Sequence, residues 1–344
     1  MGLQITELDA VSCAAWNAFV ANAATGTYCH RFEWKAVVES AYGLSTKMLA
    51  AHANGEWIGL FPVVKMPSLP GTGGRAVSVA YCNYGGVVPA HGQEGHHAEI
   101  LAASLDYLAE QGLRRVEVRQ RGFEPGESSE VTLILPLPEN SEMLWRSVGD
   151  KVRNQVRKAT KSGLEVKWDR LDSGALHDVY AANMGRLGTP VHGAGFIEAI
   201  VREFGADAEI LTVRLKEKVI GAMLLIKHGT TWADPIASSL PGYQGCNPNM
   251  LMYWEALRAA CEQGASFFDF GRSALGSGTY KFKRQWGAVA YPLNYCSYKD
   301  GVRQGAGSTS FYRGSAGALV SSGWRRLPSF LQRSLGPQLR RWIP

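Results

Sequence analysis

Apolar positions along the chain follow two rhythms. Short alternating or continuous runs are separated by longer stretches in which apolar residues recur every three and four positions, the signature of strands alternating with helices. Leu3 to Glu7 predicts a strand. A helix capped by Asp9 or Ser12 follows to about Ala21, and a second runs from Glu33 to Tyr42 and stops at Gly43. Met48–Ala53 and Glu56–Lys65 flank Asn54-Gly55, the strongest short hairpin signal. Strands near Val77–Ala80 and Gly86–Val88 surround Asn83-Tyr84. A helix from Gln93 to Gln111 and strands at Arg115–Arg119 and Val131–Leu135 complete the first half. The second half repeats this order: a strand at Leu164–Trp168, helices at Ala175–Leu187 and Gly195–Phe204, a hairpin of Glu209–Leu215 and Val219–Lys227, and a strand at Thr231–Ser238. A helix opened by Asn247-Pro248 leads to a last strand at Phe267.

The halves superpose by sequence. Met48-Leu49…Trp57-Ile58-Gly59 falls on Ile210-Leu211…Val219-Ile220-Gly221, and Leu105…Glu110-Gln111-Gly112…Glu117 falls on Leu257…Glu262-Gln263-Gly264…Asp269. Two ungapped matches in the same order predict an internal duplication. Each copy is an α/β (α+β) unit on a largely antiparallel sheet. The expected division is 1–140, 141–300, a Gly/Ser-rich linker at 301–317 and a basic amphipathic tail at 318–344.

Between the halves, Ser141 is the expected cap of a helix to about Gly163. Trp145, Val148, Val152, Val156 and Ala159 form its apolar face; Arg153, Arg157 and Lys161 step at four on another, with Lys151 and Lys158 beside them. Such a stripe is either a solvated surface or a contact for phosphates. Asn183 and Arg186 lie at a helix end closed by Gly188-Thr189-Pro190, where stop chemistry and substrate contact are both readings.

The densest chemistry lies in Phe267–Trp286, FFDFGRSALGSGTYKFKRQW. One acid, Asp269, stands among three phenylalanines. The strand is expected to break at Gly271, and Arg272, Ser273 and the Gly276–Gly278 turn precede a helical turn with Tyr280, Lys281 and Lys283. A Gly-rich turn before a helix is a ready anion site. The alternative is an Asp269–Arg272 pair of structural purpose only.

Composition narrows the class. The chain of 344 residues is 46% hydrophobic and 19% charged, as a globular protein of two domains should be. No apolar run reaches the roughly 18 residues that span a bilayer. The first ten residues carry acids and no basic segment, which argues against a secretory signal. Six cysteines without CxxC spacing predict reduced thiols, no zinc site and no disulfide framework, and the eight histidines imply no metal. A cytoplasmic protein is expected. The net charge of +6 is localised: the first 300 residues hold 29 basic and 30 acidic side chains, whereas seven arginines and no acid follow Asp300. A uniformly nucleic-acid-coating protein is therefore disfavoured. Trp324, Leu327, Phe330, Leu331, Leu335, Leu339, Trp342 and Ile343 among the last five arginines suit helices on an anionic membrane or a helix docked on the body, with RNA contact a third reading.

FDFGRS followed by GTYKFKRQWG, KVRNQVRKATKSG, NMGRLGTP, YCNYGG and NMLMYW together resemble FemAB-type proteins, most of all the branch associated with PEP-CTERM/exosortase and exopolysaccharide gene clusters. The resemblance covers Trp34 to Tyr298. It implies two tandem GNAT-like (acyl-CoA N-acyltransferase) domains and transfer of an acyl or aminoacyl group to an amine of a cell-envelope or exopolysaccharide precursor, lipid- or nucleotide-linked. The implied donors are aminoacyl-tRNA, an acyl carrier protein or acyl-CoA, with no tightly bound cofactor. The FK-x-x-[FW]-G motif falls on Phe282, Lys283, Trp286 and Gly287. Missing is the Gln/Arg-x-x-Gly-x-Gly/Ala pyrophosphate loop of acetyl-CoA users, which lowers acetyl-CoA as donor.

Amide formation needs a proton acceptor for the amine and donors facing the developing oxyanion. The expected catalytic residues are Asp269 as a base tuned upward by its apolar surroundings, Lys283 at the oxyanion or donor phosphate, and Tyr280 as proton donor to the leaving group. The substrate-binding set is Arg272, Ser273, Gly278, Thr279, Arg153, Arg157, Lys158, Asn183, Arg186, Asn83 and Tyr84. The alternative is a catalytically inactive GNAT-like binding or scaffold protein.

Overall fold

The computed structural model describes residues 2–68, 73–122, 124, 126, 128–306 and 315–344. The chain forms two compact units, one of Met1–Glu124, Leu293–Phe311 and Arg341–Pro344, the other of Pro125–Pro292 and Tyr312–Arg340. The expected linker falls partly on residues 307–314, outside the described residues.

Unit 1 runs β1 (Gln4–Leu8), α1 (Cys13–Asn22), α2 (Phe32–Tyr42), β2 (Thr46–Ala53), β3 (Glu56–Met66), β4 (Arg75–Ser78), β5 (Val88–Pro89), α3 (His97–Glu110) and β6 (Arg115–Arg121). Its sheet order is β1-β2-β3-β4-β6, antiparallel except for the β4–β6 pair. The Asn54-Gly55 turn joins β2 to β3 with both residues at positive φ, which Asn and Gly tolerate. Gly43 closes α2 in the left-handed conformation. The core lies between α3 and the sheet, with Ile100, Leu105 and Leu108 against Phe61, Val63 and Val116.

Unit 2 begins with β7 (Glu130–Pro136), α4 (Ser141–Ser147) and α5 (Asp150–Lys161). It continues through β8 (Leu164–Trp168), α6 (Ser173–Leu187), α7 (Ala194–Phe204), β9 (Ala208–Leu215), β10 (Lys218–His228), β11 (Thr231–Ser239), α8 (Pro248–Glu262), β12 (Phe267–Ala274) and α9 (Gly278–Arg284). Its sheet order, β8-β9-β10-β11-β12-β7, repeats that of unit 1, again with one parallel pair, β11–β12. The strand-helix-helix-hairpin-strand-helix-strand order predicted for both halves is observed. β7, on the N-terminal side of the expected boundary at residue 140, pairs with β12 in unit 2. The sequence pattern missed β13 (Val289–Lys299), which pairs first with β7 and then with β6, and β14 (Val302–Ala306), which pairs with β13.

The helix expected from Ser141 is two helices. The cap is Asn140, whose side chain accepts from Met143 N–H, and the chain leaves the helical region at Val148 before Gly149 opens α5. The tail forms α10 (Ser315–Arg326) and α11 (Ser329–Arg340), both packed on α6. Trp324 is buried, Gly336 lies against Val191, and Arg333 pairs with Asp178. Arg340 Nε donates to His192 Nε2 at 3.0 Å; burial first, and then this guanidinium, push the His192 pKa far down, so the ring accepts as a neutral base. The docked-helix reading of the tail is what this unit shows. Phe330, Leu335 and Leu339 remain exposed.

Candidate active site

Two bulges at the same level of neighbouring strands define the site. On β11, Asp234 and Pro235 together oppose the single Leu225 of β10, since the ladder passes from Ala233↔Ile226 to Ile236↔Leu224. An extra residue bends a strand, and proline tolerates the place because it has no N–H to pair. On β12, Phe270 and Gly271 oppose the single Leu133 of β7, the ladder passing from Asp269↔Ile134 to Arg272↔Thr132. Gly271 has φ 69°, a conformation that favours glycine. The parallel pairing of β11 with β12 therefore stops at Ala233↔Asp269. Beyond it β11 stays with β10 and β12 with β7, and a wedge opens between them. The break expected at Gly271 is a bulge inside a strand that continues to Ala274.

Four buried polar side chains cluster at the mouth of this wedge. Asp269 Oδ1 accepts from Thr132 Oγ1 and from the N–H of Gly271, both at 2.8 Å. Lys283, on α9, donates to the carbonyls of Gly271 and Arg272 at 3.0 and 2.9 Å, satisfying backbone oxygens beside the bulge. Tyr253, on α8, donates to Asp234 Oδ2 at 2.6 Å, while Asp234 Oδ1 has no hydrogen-bond partner among the described residues. Burial pushes the Asp234 pKa up to about 7; Lys283 and the Tyr253 hydroxyl hold it down, and Asp269 adds to the rise. Burial lowers the Lys283 pKa, and the carboxylates of Asp234 and Asp269 oppose it. A carboxylate poised near neutrality beside a buried lysine is suited to moving protons. Phe268, Phe270 and Phe282 pack around Tyr253 and fix its ring.

Asp234 and Tyr253 were not among the residues singled out by sequence. The signal was present: TWADPI is, like FFDFG, an apolar strand with one acid at its breaking point. Of the expected catalytic residues, Asp269 and Lys283 belong to the cluster. Tyr280 lies three residues from Lys283 on α9 and is half-buried, and its hydroxyl makes no hydrogen bond among the described residues.

The substrate-binding candidates divide. Ser273 is buried on β12 with no partner for Oγ among the described residues, and Arg272 reaches toward the buried Glu130 at 3.9 Å. Ser277 caps α9, its Oγ accepting from Tyr280 N–H and meeting Thr279 Oγ1, and Gly278 and Thr279 form the exposed first turn of that helix. Asn183 donates to Ser238 of β11 at 3.4 Å and accepts from Arg186 at 3.1 Å. Arg153 donates to the carbonyls of Trp145 and Val148 and pairs with Asp150, so it closes the end of α4. Arg157 lies over the Trp145 ring, and Lys158 is exposed. Asn83 and Tyr84 belong to unit 1: the Tyr295 hydroxyl donates to Asn83 O, and Tyr84 packs with Leu293 and Tyr295.

With this geometry, residues 146–284 match the family model described as the acetyltransferase (GNAT) domain. The matched residues lie within unit 2. No curated protein sequence matches the chain. Among solved structures, FemX is similar with a TM-score of 0.63 and 18% identity, over 86% of this chain and 96% of that one. A tandem GNAT protein from the clavulanic acid biosynthesis pathway has a TM-score of 0.54 at 9% identity, over 87% and 99%. L-PGS from Bacillus licheniformis has 0.53 at 12%, over 93% and 98%. The chain thus has a tandem GNAT-like fold similar to that of FemX. Among the described residues no helix is long and apolar enough to cross a membrane.

Proposed function

We propose that the chain is an amide-forming acyltransferase, transferring an acyl or aminoacyl group to an amine of a cell-envelope or exopolysaccharide precursor, with unit 2 as its reacting centre. The observation that carries this reading is the bulged wedge, where a buried carboxylate with one unpartnered oxygen stands beside a buried lysine. The amine nitrogen forms a bond to the donor's carbonyl carbon and its proton passes to Asp234. The Lys283 ammonium stabilises the charge that develops on the carbonyl oxygen. The C–O or C–S bond then breaks, Tyr280 supplies a proton to the leaving group and recovers one from solvent, and Asp234 gives up the amine's proton to solvent, which closes the cycle. Asp234 is better placed than Asp269 as the base, because Asp269 Oδ1 already accepts two hydrogen bonds. Asp269 then holds the β12 bulge and supports the charge of Lys283.

The donor carrier we favour is an aminoacyl-tRNA or an acyl carrier protein over acetyl-CoA. The helix end that would take a CoA pyrophosphate opens at Asn247 in a left-handed conformation, with Pro248 lacking one of the N–H groups an anion would use. The acceptor we favour is lipid- or nucleotide-linked, with the outward Phe330, Leu335 and Leu339 of the arginine-rich tail touching an anionic membrane. A donor screen by intact-ligand mass spectrometry and thermal shift tests the reading, offering charged and uncharged tRNA, acyl carrier protein thioester and acyl-CoA. Binding of charged tRNA or a thioester, followed by amide formation, is the expected result. Silence from every donor favours the inactive scaffold reading.

A further inference from the structure

Outside the wedge, unit 2 carries an open groove of about 450 Å³ lined by Trp145, Val156, Arg157, Thr160, Lys161 and Trp254. It lies where α4 and α5 pack on α8, and its volume is that of an ordinary ligand site. We infer that this groove binds the headgroup phosphate and adjoining acyl methylenes of an anionic phospholipid.

Its floor is apolar, made by two half-buried tryptophans and Val156, and no acid lines it. Arg157 and Lys161, four residues apart, stand on one rim of the helix. Lys151, Arg157, Lys158 and Lys161 form no ion pair among the described residues, whereas Asp150 is taken by Arg153, and Glu255 and Glu262 of α8 by Arg258. Two uncompensated cations on the rim of an apolar aromatic groove, Arg157 and Lys161, complement a molecule that is anionic at one end and apolar at the other. The ring geometry disfavours a nucleotide base. Trp145 and Trp254 meet edge to face at 4.6 Å, and the Arg157 guanidinium lies over Trp145, so no pair of parallel rings is offered for stacking. Tryptophan with Lys/Arg is instead the pairing that suits a membrane interface. This site stands independently of amide formation, because it needs neither donor nor turnover.

The test uses the full chain with dihexanoyl phosphatidylglycerol kept monomeric, read by tryptophan emission and calorimetry. Expected is saturable binding that weakens at least about tenfold in the Arg157→Glu/Lys161→Glu double variant, survives Phe330→Ser in the tail, and is much weaker for dihexanoyl phosphatidylcholine. Trp254→Leu should remove most of the emission change while circular dichroism confirms an intact fold. Equal binding of the phosphatidylcholine analogue would overturn the role of charge. Equally tight glycerol phosphate would show a plain phosphate site, and an oligonucleotide that displaces the lipid with higher affinity would show a nucleic-acid site. No binding, or binding unchanged in the double variant, would reject the groove.

Discussion

Unit 1 and unit 2 contain the same wedge position, and only in unit 2 does the strand bulge there. The two helices and the strands after them align with Leu105 on Leu257 and Glu117 on Asp269, and the ladders agree: Val77 faces Glu117 in unit 1 as Ala233 faces Asp269 in unit 2. By that register Ser78 stands where Asp234 does, Leu101 where Tyr253 does, and Arg119 where Gly271 does. In unit 1 the pairing of β6 with β13 is regular from Arg115 to Arg121, with no bulge. Arg119 fills the space: Nε donates to Glu117 at 2.8 Å, its N–H donates to Ser78 Oγ, and the guanidinium reaches Cys82 O and Pro344 O. In unit 2 glycine replaces that arginine, the strand bulges, and Asp269 accepts instead from Thr132 and the Gly271 N–H, while Asp234 lies near the buried Lys283. A satisfied ion pair is structural; a carboxylate with one unpartnered oxygen beside a buried lysine is where chemistry can be done.

The largest effects should come from the unit 2 cluster. Lys283→Ala and Asp234→Asn are each expected to lower turnover by ~100-fold or more with the fold intact, measured as amide product and by circular dichroism; wild-type rates in both would remove the reading. Next is Gly271→Ala. A side chain at φ 69° should cost about 1–2 kcal/mol, lowering Tm, and should flatten the bulge and depress turnover as well. Arg119→Met in unit 1 should leave turnover unchanged. It should cost on the order of 3 kcal/mol of stability because Glu117 loses its partner while buried; a lost reaction rate would mean that unit 1 is also chemical.

A smaller effect is the pH dependence. A base must be ionised to act, and the Asp234 pKa is raised to about 7, so turnover should climb as pH rises through about 7 and level above it. Lys283→Met, which removes the positive charge that holds Asp234 down, should move that limb of the residual rate to higher pH. An unchanged limb in Asp234→Asn would assign the titration elsewhere.

The architecture was legible because its signals are local. Asn54-Gly55 marks its hairpin, Gly43 and Gly188 end their helices, and the repeated order of elements reports the duplication. FDFG and the FK-x-x-W-G segment pointed to Asp269 and Lys283. The rest depends on long-range pairing. Whether Asp234 faces α8 is decided by a bulge against β10, and nothing in TWADPI states which residue will lie opposite. Arg153 reads as part of a cationic stripe until Val148-Gly149 breaks the helix and turns α4's last carbonyls toward it. The tail's apolar residues read equally as membrane-facing or docked, and only packing on α6 distinguishes Trp324, which is buried, from Phe330, which is not.

The most direct measurement is single-turnover amide formation, followed by intact mass of the acceptor, with whichever donor binds, for wild type, Asp234→Asn and Arg119→Met. The account predicts that Asp234→Asn loses the reaction while still binding donor, and that Arg119→Met reacts as wild type does once stability is matched by temperature. Full activity in Asp234→Asn, or loss confined to Arg119→Met, would contradict it.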